Sequence, residues 1–381
     1  RIFVFGTTLF TASSLLCAIA PNAELLVAAR LLQGVGGALL TPGSLAMIES
    51  SFRPADRSRA IGAWSGLGGV AAALGPLVGG YLVGAVSWRA IFLINLPIGV
   101  FVVLMAPRHV PETRDPTASG HLDFPGAVLA ALGLAGVTYA LIEAPGQGLS
   151  PSILLTGIGG LAAFAAFLAT ERRSANPMLP LSMFSSRQFS AANGVTFVVY
   201  AALGGVFFLL VSFLQISLGY SPIEAGAASL PITVLMLLLS ARSGALAQRI
   251  GARVPLTVGP LVIAAGLLLM TRIQVGDSYV SSVLPAVIVF GLGLTLVVAP
   301  VTATVLAAAD ERHSGMASGV NNAVARVAGL LAVAVLPVIA GLTGEKFYDP
   351  SAMVDGFHTA MVACAGLAAA GAILAWLTIS S

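Results

Sequence analysis

Two arginines stand inside apolar runs, where an unpaired charge is costly and commonly marks a function. Arg30 lies six residues into the run 24–49, about 9 Å along a helix. Arg326 lies eleven residues into 315–343, about 17 Å deep and so near mid-membrane. A buried guanidinium can hold a carboxylate, accept a charged ligand or pair with backbone carbonyls; near an interface it can also snorkel outward. Gln33 follows Arg30 by one helical turn on the same face, in reach of Arg30 or of a bound molecule. Asn321 and Asn322 precede Arg326 by about a turn, and Asn193 and Gln215 share the run 189–216. Each of these amides reads either as a polar point in a cavity or as an interhelical hydrogen bond.

Other chemistry is scarce. The one lysine, Lys346, opens no phosphate-binding loop and no buried Schiff base, so ATP hydrolysis within this chain is excluded. His109, His121, His313 and His358 lack metal-ligand spacing, and Cys17 and Cys364 sit in apolar runs as small hydrophobes. No nucleophile–base pair stands at a credible spacing, and no cofactor or nucleic acid is called for. Proton coupling needs a carboxylate open to both sides in turn. Glu49, Glu143 and Glu224 all fall near the ends of runs.

The elements that position these groups are membrane helices. The chain of 381 residues is 57% hydrophobic and 9% charged, against about 25% charged in soluble domains. Twelve apolar segments have spanning length: 2–20, 24–49, 60–86, 89–107, 124–144, 151–170, 189–216, 222–241, 254–271, 279–308, 315–343 and 357–378. With Arg1 set in the cytoplasm, thirteen Lys and Arg fall on that side and three on the other, a strong positive-inside bias that places both ends of the chain there. The stretches 108–123 and 171–189 are Pro-, Ser- and charge-rich linkers.

Two halves look alike. "QGVGGALLTP" (33–42) matches "FGLGLTLVVAP" (290–300) at an offset of 257, and "RSRAIGAWSGLGGVAAALG" (57–75) matches "RHSGMASGVNNAVARVAGL" (312–330) at 255. Val287 takes the place of Arg30 in the second copy. Same-orientation repeats with a path between them build some transporters. Within 60–86, Gly62 and Gly66, Gly75 and Gly79, and Gly80 and Gly84 recur at spacing four, where another helix can approach. Pro76 frees a backbone carbonyl and bends that helix, as a packing kink or as a moving part.

These residues resemble the major facilitator superfamily, and within it the fourteen-span drug:proton antiporters of multidrug efflux. "RLLQGVGGALLTP" (30–42) is similar to the fourth-helix motif, with Arg30, Gln33 and Gly34. "GVAAALGPLVGG" (69–80) is similar to the antiporter motif, with Gly75, Pro76, Gly79 and Gly80. "WRAIFLINLPIGV" (88–100) resembles the sixth-helix motif, and "GALAQRIGAR" (244–253) the second copy of the cytoplasmic gate motif, with Gly244, Arg249, Gly251 and Arg253. Gln248 departs from the Asp of that pattern.

The resemblance implies an all-α major facilitator fold of two six-helix bundles and two linker helices. It implies that helices one and two, with the coupling acid, precede this chain. It divides the chain into 1–107 (helices three to six), 108–187 (linker pair) and 188–381 (second bundle). It assigns Arg30 to proton transfer or its coupling, and Gly75, Pro76, Gly79 and Gly80 to conformational exchange. The implied protein is a monomer of the bacterial plasma membrane that exports small hydrophobic or cationic drugs against protons by alternating access. A dedicated exporter of a self-made antibiotic or metabolite, or a non-transporting membrane sensor, are the alternatives.

Overall fold

The structure is a computed structural model that describes residues 2–51, 71, 74–75, 77–109, 123–148, 150–174, 177–308 and 314–380, with 41–51 described by backbone alone. The described residues form helices and connecting turns. They are α1 (Ile2–Ile19), α2 (Ala23–Ser51), α3 (Leu77–Val86), α4 (Ala90–Arg108), α5 (Phe124–Gln147), α6 (Pro151–Arg173), α7 (Arg187–Ile216), α8 (Pro222–Ile250), α9 (Arg253–Met270), α10 (Tyr279–Val305), α11 (Ser314–Ile339) and α12 (Pro350–Thr378). Eleven are long and apolar enough to cross a membrane; α3 is the shorter described part of the run 60–86 and ends in a π turn at Leu82–Val86. Eleven of the twelve expected spans thus have a helix of spanning length, and most of the twelfth, 60–86, lies outside the described residues.

Several boundaries follow local chemistry beyond the apolar runs. Asp349 caps α12 by accepting the Ala352 N–H at 2.7 Å, and Pro350 occupies the first turn, so the helix starts seven residues before the run 357–378. Ser186 caps α7 in the same way. α8 continues past Arg242 to Ile250, because a polar residue does not stop a helix. The backbone ends it at Gly251, whose φ of 84° suits glycine.

The chain divides into two units. One holds residues 1–118 with Ser221–Ala227; the other holds 119–220 with 228–381. In the first, α1 packs on both α2 and α4. In the second, α9 packs on both α10 and α12, α7 packs on α11 and α12, and α8 on α10. Helices α5 and α6 pair closely with each other, and α5 also packs against α11.

The α1–α2 and α9–α10 pairs meet through equivalent glycines. A Cβ on Gly36 would stand 2.6 Å from the Phe10 amide nitrogen, and one on Gly293 would stand 2.6 Å from that of Ile263. A Cβ on Gly6 would lie 3.2 Å from the Gly36 carbonyl, and one on Gly259 would lie 3.2 Å from the Gly293 carbonyl. Gly36 and Gly293 are 257 positions apart, the offset read for the 33–42 repeat. In lipid no hydrophobic drive joins helices, so this backbone proximity supplies the dispersion that holds them.

Candidate functional site

Three helices of the first unit converge on one polar chain. α1 supplies Ser14, α2 supplies Arg30 and Gln33, and α4 supplies Phe92 and Asn95. The Arg30 Nη1 donates to Gln33 Oε1. Because arginine only donates, this bond fixes which end of the Gln33 amide faces it. Gln33 Nε2 then donates to Ser14 Oγ at 2.6 Å, and Ser14 donates to the Phe10 carbonyl at 2.9 Å. Asn95 Nδ2 adds a second donor to Ser14 at 3.3 Å, and Cys17 Sγ lies 4.0 Å from Gln33 Oε1. Ser14 and Gln33 are buried, while Arg30 is exposed and sits 5.8 Å from the centroid of the Phe92 ring.

The arrangement has a direction. Each group donates to the next, so the buried amide is satisfied and the guanidinium is held from one side. Among the described residues its other N–H groups have no hydrogen-bond partner, so they can meet a carboxylate, a carbonyl or a ligand acceptor. Arg30 therefore does not sit alone. Gly34, next in the motif, is exposed with nothing within 4 Å of a Cβ there, so it opens the same helix face. At the start of α4, Arg89 Nη2 donates to the Ala20 carbonyl at 3.2 Å and its guanidinium covers the Trp88 ring at 4.3 Å, which ties α4 to the end of α1.

The other expected residues fall into separate groups. Among the described residues, nothing lies within 4 Å of a Cβ placed on Gly75 or Gly79. Gly80 is the close-contact member: a Cβ there would stand 2.6 Å from the Pro222 carbonyl, within the same unit. Pro76, the side chain of Glu49 and the charged loop 53–59 lie outside the described residues.

In the second unit, Asn321 of α11 donates to Asn193 Oδ1 at 3.2 Å and to Thr196 Oγ1 at 2.7 Å, both on α7. All three are buried, and Asn193 in turn donates to the Phe189 carbonyl at 2.9 Å. This is an interhelical polar clasp. Gln215 is not part of it, standing 22 residues further along α7, about 33 Å by helical rise. Asn322 and Arg326 are exposed on α11, and Arg326 lies near enough to Tyr200 to act on it electrostatically.

Of the gate motif, Gly244 and Arg249 lie in the last turns of α8, with Arg249 exposed. Gly251 forms the turn into α9, and Arg253 stacks over Trp376 at 4.1 Å. Ser14, Asn95, Thr196 and Trp376 are not among the expected site residues. An Asn inside the apolar "FLINLPIG" is the available signal for Asn95; a helical Ser or Thr that bonds its own backbone leaves none.

Eleven described helices long and apolar enough to cross a membrane, a repeated helix-pair joint and buried polar contacts between helices define a multi-span membrane protein. The Major Facilitator Superfamily model matches residues 1–333, and the chain belongs to that family. It is 34% identical over 346 residues to the methylenomycin A resistance protein of Streptomyces coelicolor, covering 90% of this chain and 72% of that protein. It is 33% identical over 338 residues to the multidrug resistance protein Stp of Mycobacterium tuberculosis, covering 88% of this chain and 62% of Stp. Among solved structures, a bacterial homologue of the human lysosomal transporter Spinster aligns with a TM-score of 0.68 at 16% identity, over 99% of this chain and 82% of that one. That likeness establishes the fold.

Proposed function

We propose that the protein exports small hydrophobic or cationic drugs across the bacterial plasma membrane in exchange for protons. The observation that carries this reading is the Arg30–Gln33–Ser14 chain. It fixes one intramembrane charge in a family of transporters whose relatives here are resistance proteins. Arg30 is the coupling group. It holds a carboxylate in one stage of the cycle and releases it when that acid takes a proton, which changes the charge of the path. Substrate moves by alternating access between two bundles, 1–107 and 188–381, with 108–187 as a linker pair in a fourteen-span protein. Both ends of this chain face the cytoplasm, as the loop arginines favour, and the protein acts as a monomer.

A second reading, export of a single self-made metabolite, is favoured by the relative named for one antibiotic, methylenomycin A. The two separate in a pump-deficient bacterial host that expresses the gene. Multidrug export predicts reduced accumulation of several unrelated cationic dyes and raised resistance to each, both abolished by an uncoupler. Resistance to one compound alone supports the dedicated exporter. Unchanged accumulation of every compound with the protein folded in the membrane overturns both and leaves a sensor.

A further inference from the structure

Where α7 and α9 begin and α12 ends, a notch of about 370 Å³ opens between Arg187, Gln188, Arg253 and residues 376–380. Among the described residues its lining holds two arginines and no Asp or Glu. Arg187 is exposed and donates through Nη2 to the Leu377 carbonyl at 3.0 Å, its one hydrogen bond among the described residues. The Arg253 guanidinium carbon lies over the Trp376 ring, 4.1 Å from its centroid, and its buried Nε has no hydrogen-bond partner among the described residues. Gln188 Oε1 accepts from the N–H and the hydroxyl of Ser380, both at 3.0 Å, and this bond closes the floor of the notch. Two arginines lining one notch, with no Asp or Glu among the described lining residues, suit an oxyanion, since an arginine fork matches phosphate oxygens.

The rim adds a second property. Trp376 is 51% exposed and Leu377 is 65% exposed, beside the charged groups. An aromatic ring with an aliphatic side chain at the end of a spanning helix marks the headgroup level of a bilayer. An occupant here therefore meets cations at one end and apolar surface at the other. We propose that this notch binds the phosphate of an anionic phospholipid, with Arg187 and Arg253 on the phosphate oxygens and Trp376 and Leu377 against the acyl-chain side. Basic pockets at helix ends are suited to such headgroups. The site is independent of what the protein transports.

The test is native mass spectrometry of the purified full chain, released from detergent with equal amounts of phosphatidylglycerol and phosphatidylcholine. The expected result is roughly tenfold preferential retention of phosphatidylglycerol, reduced in Arg187→Gln and abolished in Arg187→Gln/Arg253→Gln. Arg187→Gln leaves the Arg253–Trp376 stack in place, so it decides the matter if the double variant does not fold. Equal retention of the two lipids, or an unchanged preference in Arg187→Gln and the double variant, overturns the proposal. A parallel arm adds inorganic phosphate at millimolar concentration. Phosphatidylglycerol retention unaffected by it is expected; displacement by phosphate identifies a free-anion site and overturns the lipid assignment.

Discussion

The α1–α2 pair and the α9–α10 pair share one joint and differ in what lies beside it. In both, a glycine carbonyl and a glycine Cα face each other at matched positions, and the neighbouring helix backbone comes close enough to exclude a methyl group. Next to that joint, the first pair carries Gln33 bonded to Ser14. At the position 257 residues on, the second carries Phe290, fully buried, with Gly266 packed on its backbone. Arg30 corresponds to Val287, also buried. Duplication thus preserved the packing that builds a membrane helix pair. The polar chain exists in one copy alone, and the charge goes with it. Scaffold and chemistry occupy separate positions on the same helix, so they can be broken separately.

The largest expected effect breaks the shared joint. Gly36→Val and Gly293→Val should each lower the melting temperature and the yield of folded protein. Overpacking of this kind costs about 1–3 kcal/mol when neighbours can shift, and here the neighbour is backbone. Gly34→Ala should change neither, since a Cβ there meets nothing within 4 Å. Thermal melts of the purified variants compare the three. A large loss in Gly36→Val with none in Gly293→Val would show that the joints are not equivalent.

Next is the difference itself. Gln33→Leu replaces the amide with a side chain of similar volume and an apolar character like that of Phe290. The helix pair should still form, while export falls by roughly tenfold, equivalent to about 1.4 kcal/mol in a rate-limiting barrier. Dye efflux from energised cells, normalised to folded protein, measures it. Full efflux in Gln33→Leu would reduce the polar chain to packing.

Smaller still is the clasp of the second unit. Asn321→Ala removes both bonds to Asn193 and Thr196. Polar contacts between membrane helices average about 0.6 kcal/mol and reach about 1.7. Stability should fall within that range, and efflux of unrelated dyes should fall only in proportion to folded protein. A change in which dyes are carried would move the clasp from structure to substrate binding.

The smallest is a pH effect at the exposed end of α12. The Ala352 N–H and the Ser351 hydroxyl donate to Asp349 and hold its carboxyl below the usual range. A lowered carboxylate contributes stability above its ordinary pKa, and that contribution is lost as pH falls through the lowered value. The melting difference between the wild type and Asp349→Ala should therefore be constant near neutrality and shrink in acid.

Much of this is legible in the residues. Long apolar runs predict the eleven described spans, because lipid demands about twenty apolar residues per crossing. Arg30 and Gln33 stand out because intramembrane polarity is rare. The Gly36 and Gly293 copies are visible as a repeat. Less visible are partners from distant helices. Ser14 and Thr196 each donate to their own helix, so nothing in their spacing shows that they also accept from Gln33 or Asn321. The end of α8 at Ile250 lies well beyond the expected 241, because hydropathy drops at Arg242 while the backbone continues to Gly251. Arg253 is legible as part of a gate motif, but its stacking on Trp376 joins residues 123 positions apart.

The central claim is that one arginine in one copy of the repeat couples protons to export. Everted membrane vesicles carrying the protein, energised by respiration and given cationic and neutral drugs in turn, report it through a pH-sensitive dye. Drug addition should release protons from the wild-type vesicles, and Arg30→Ala, present at equal folded abundance, should abolish that release. Undiminished proton release from Arg30→Ala would contradict the account.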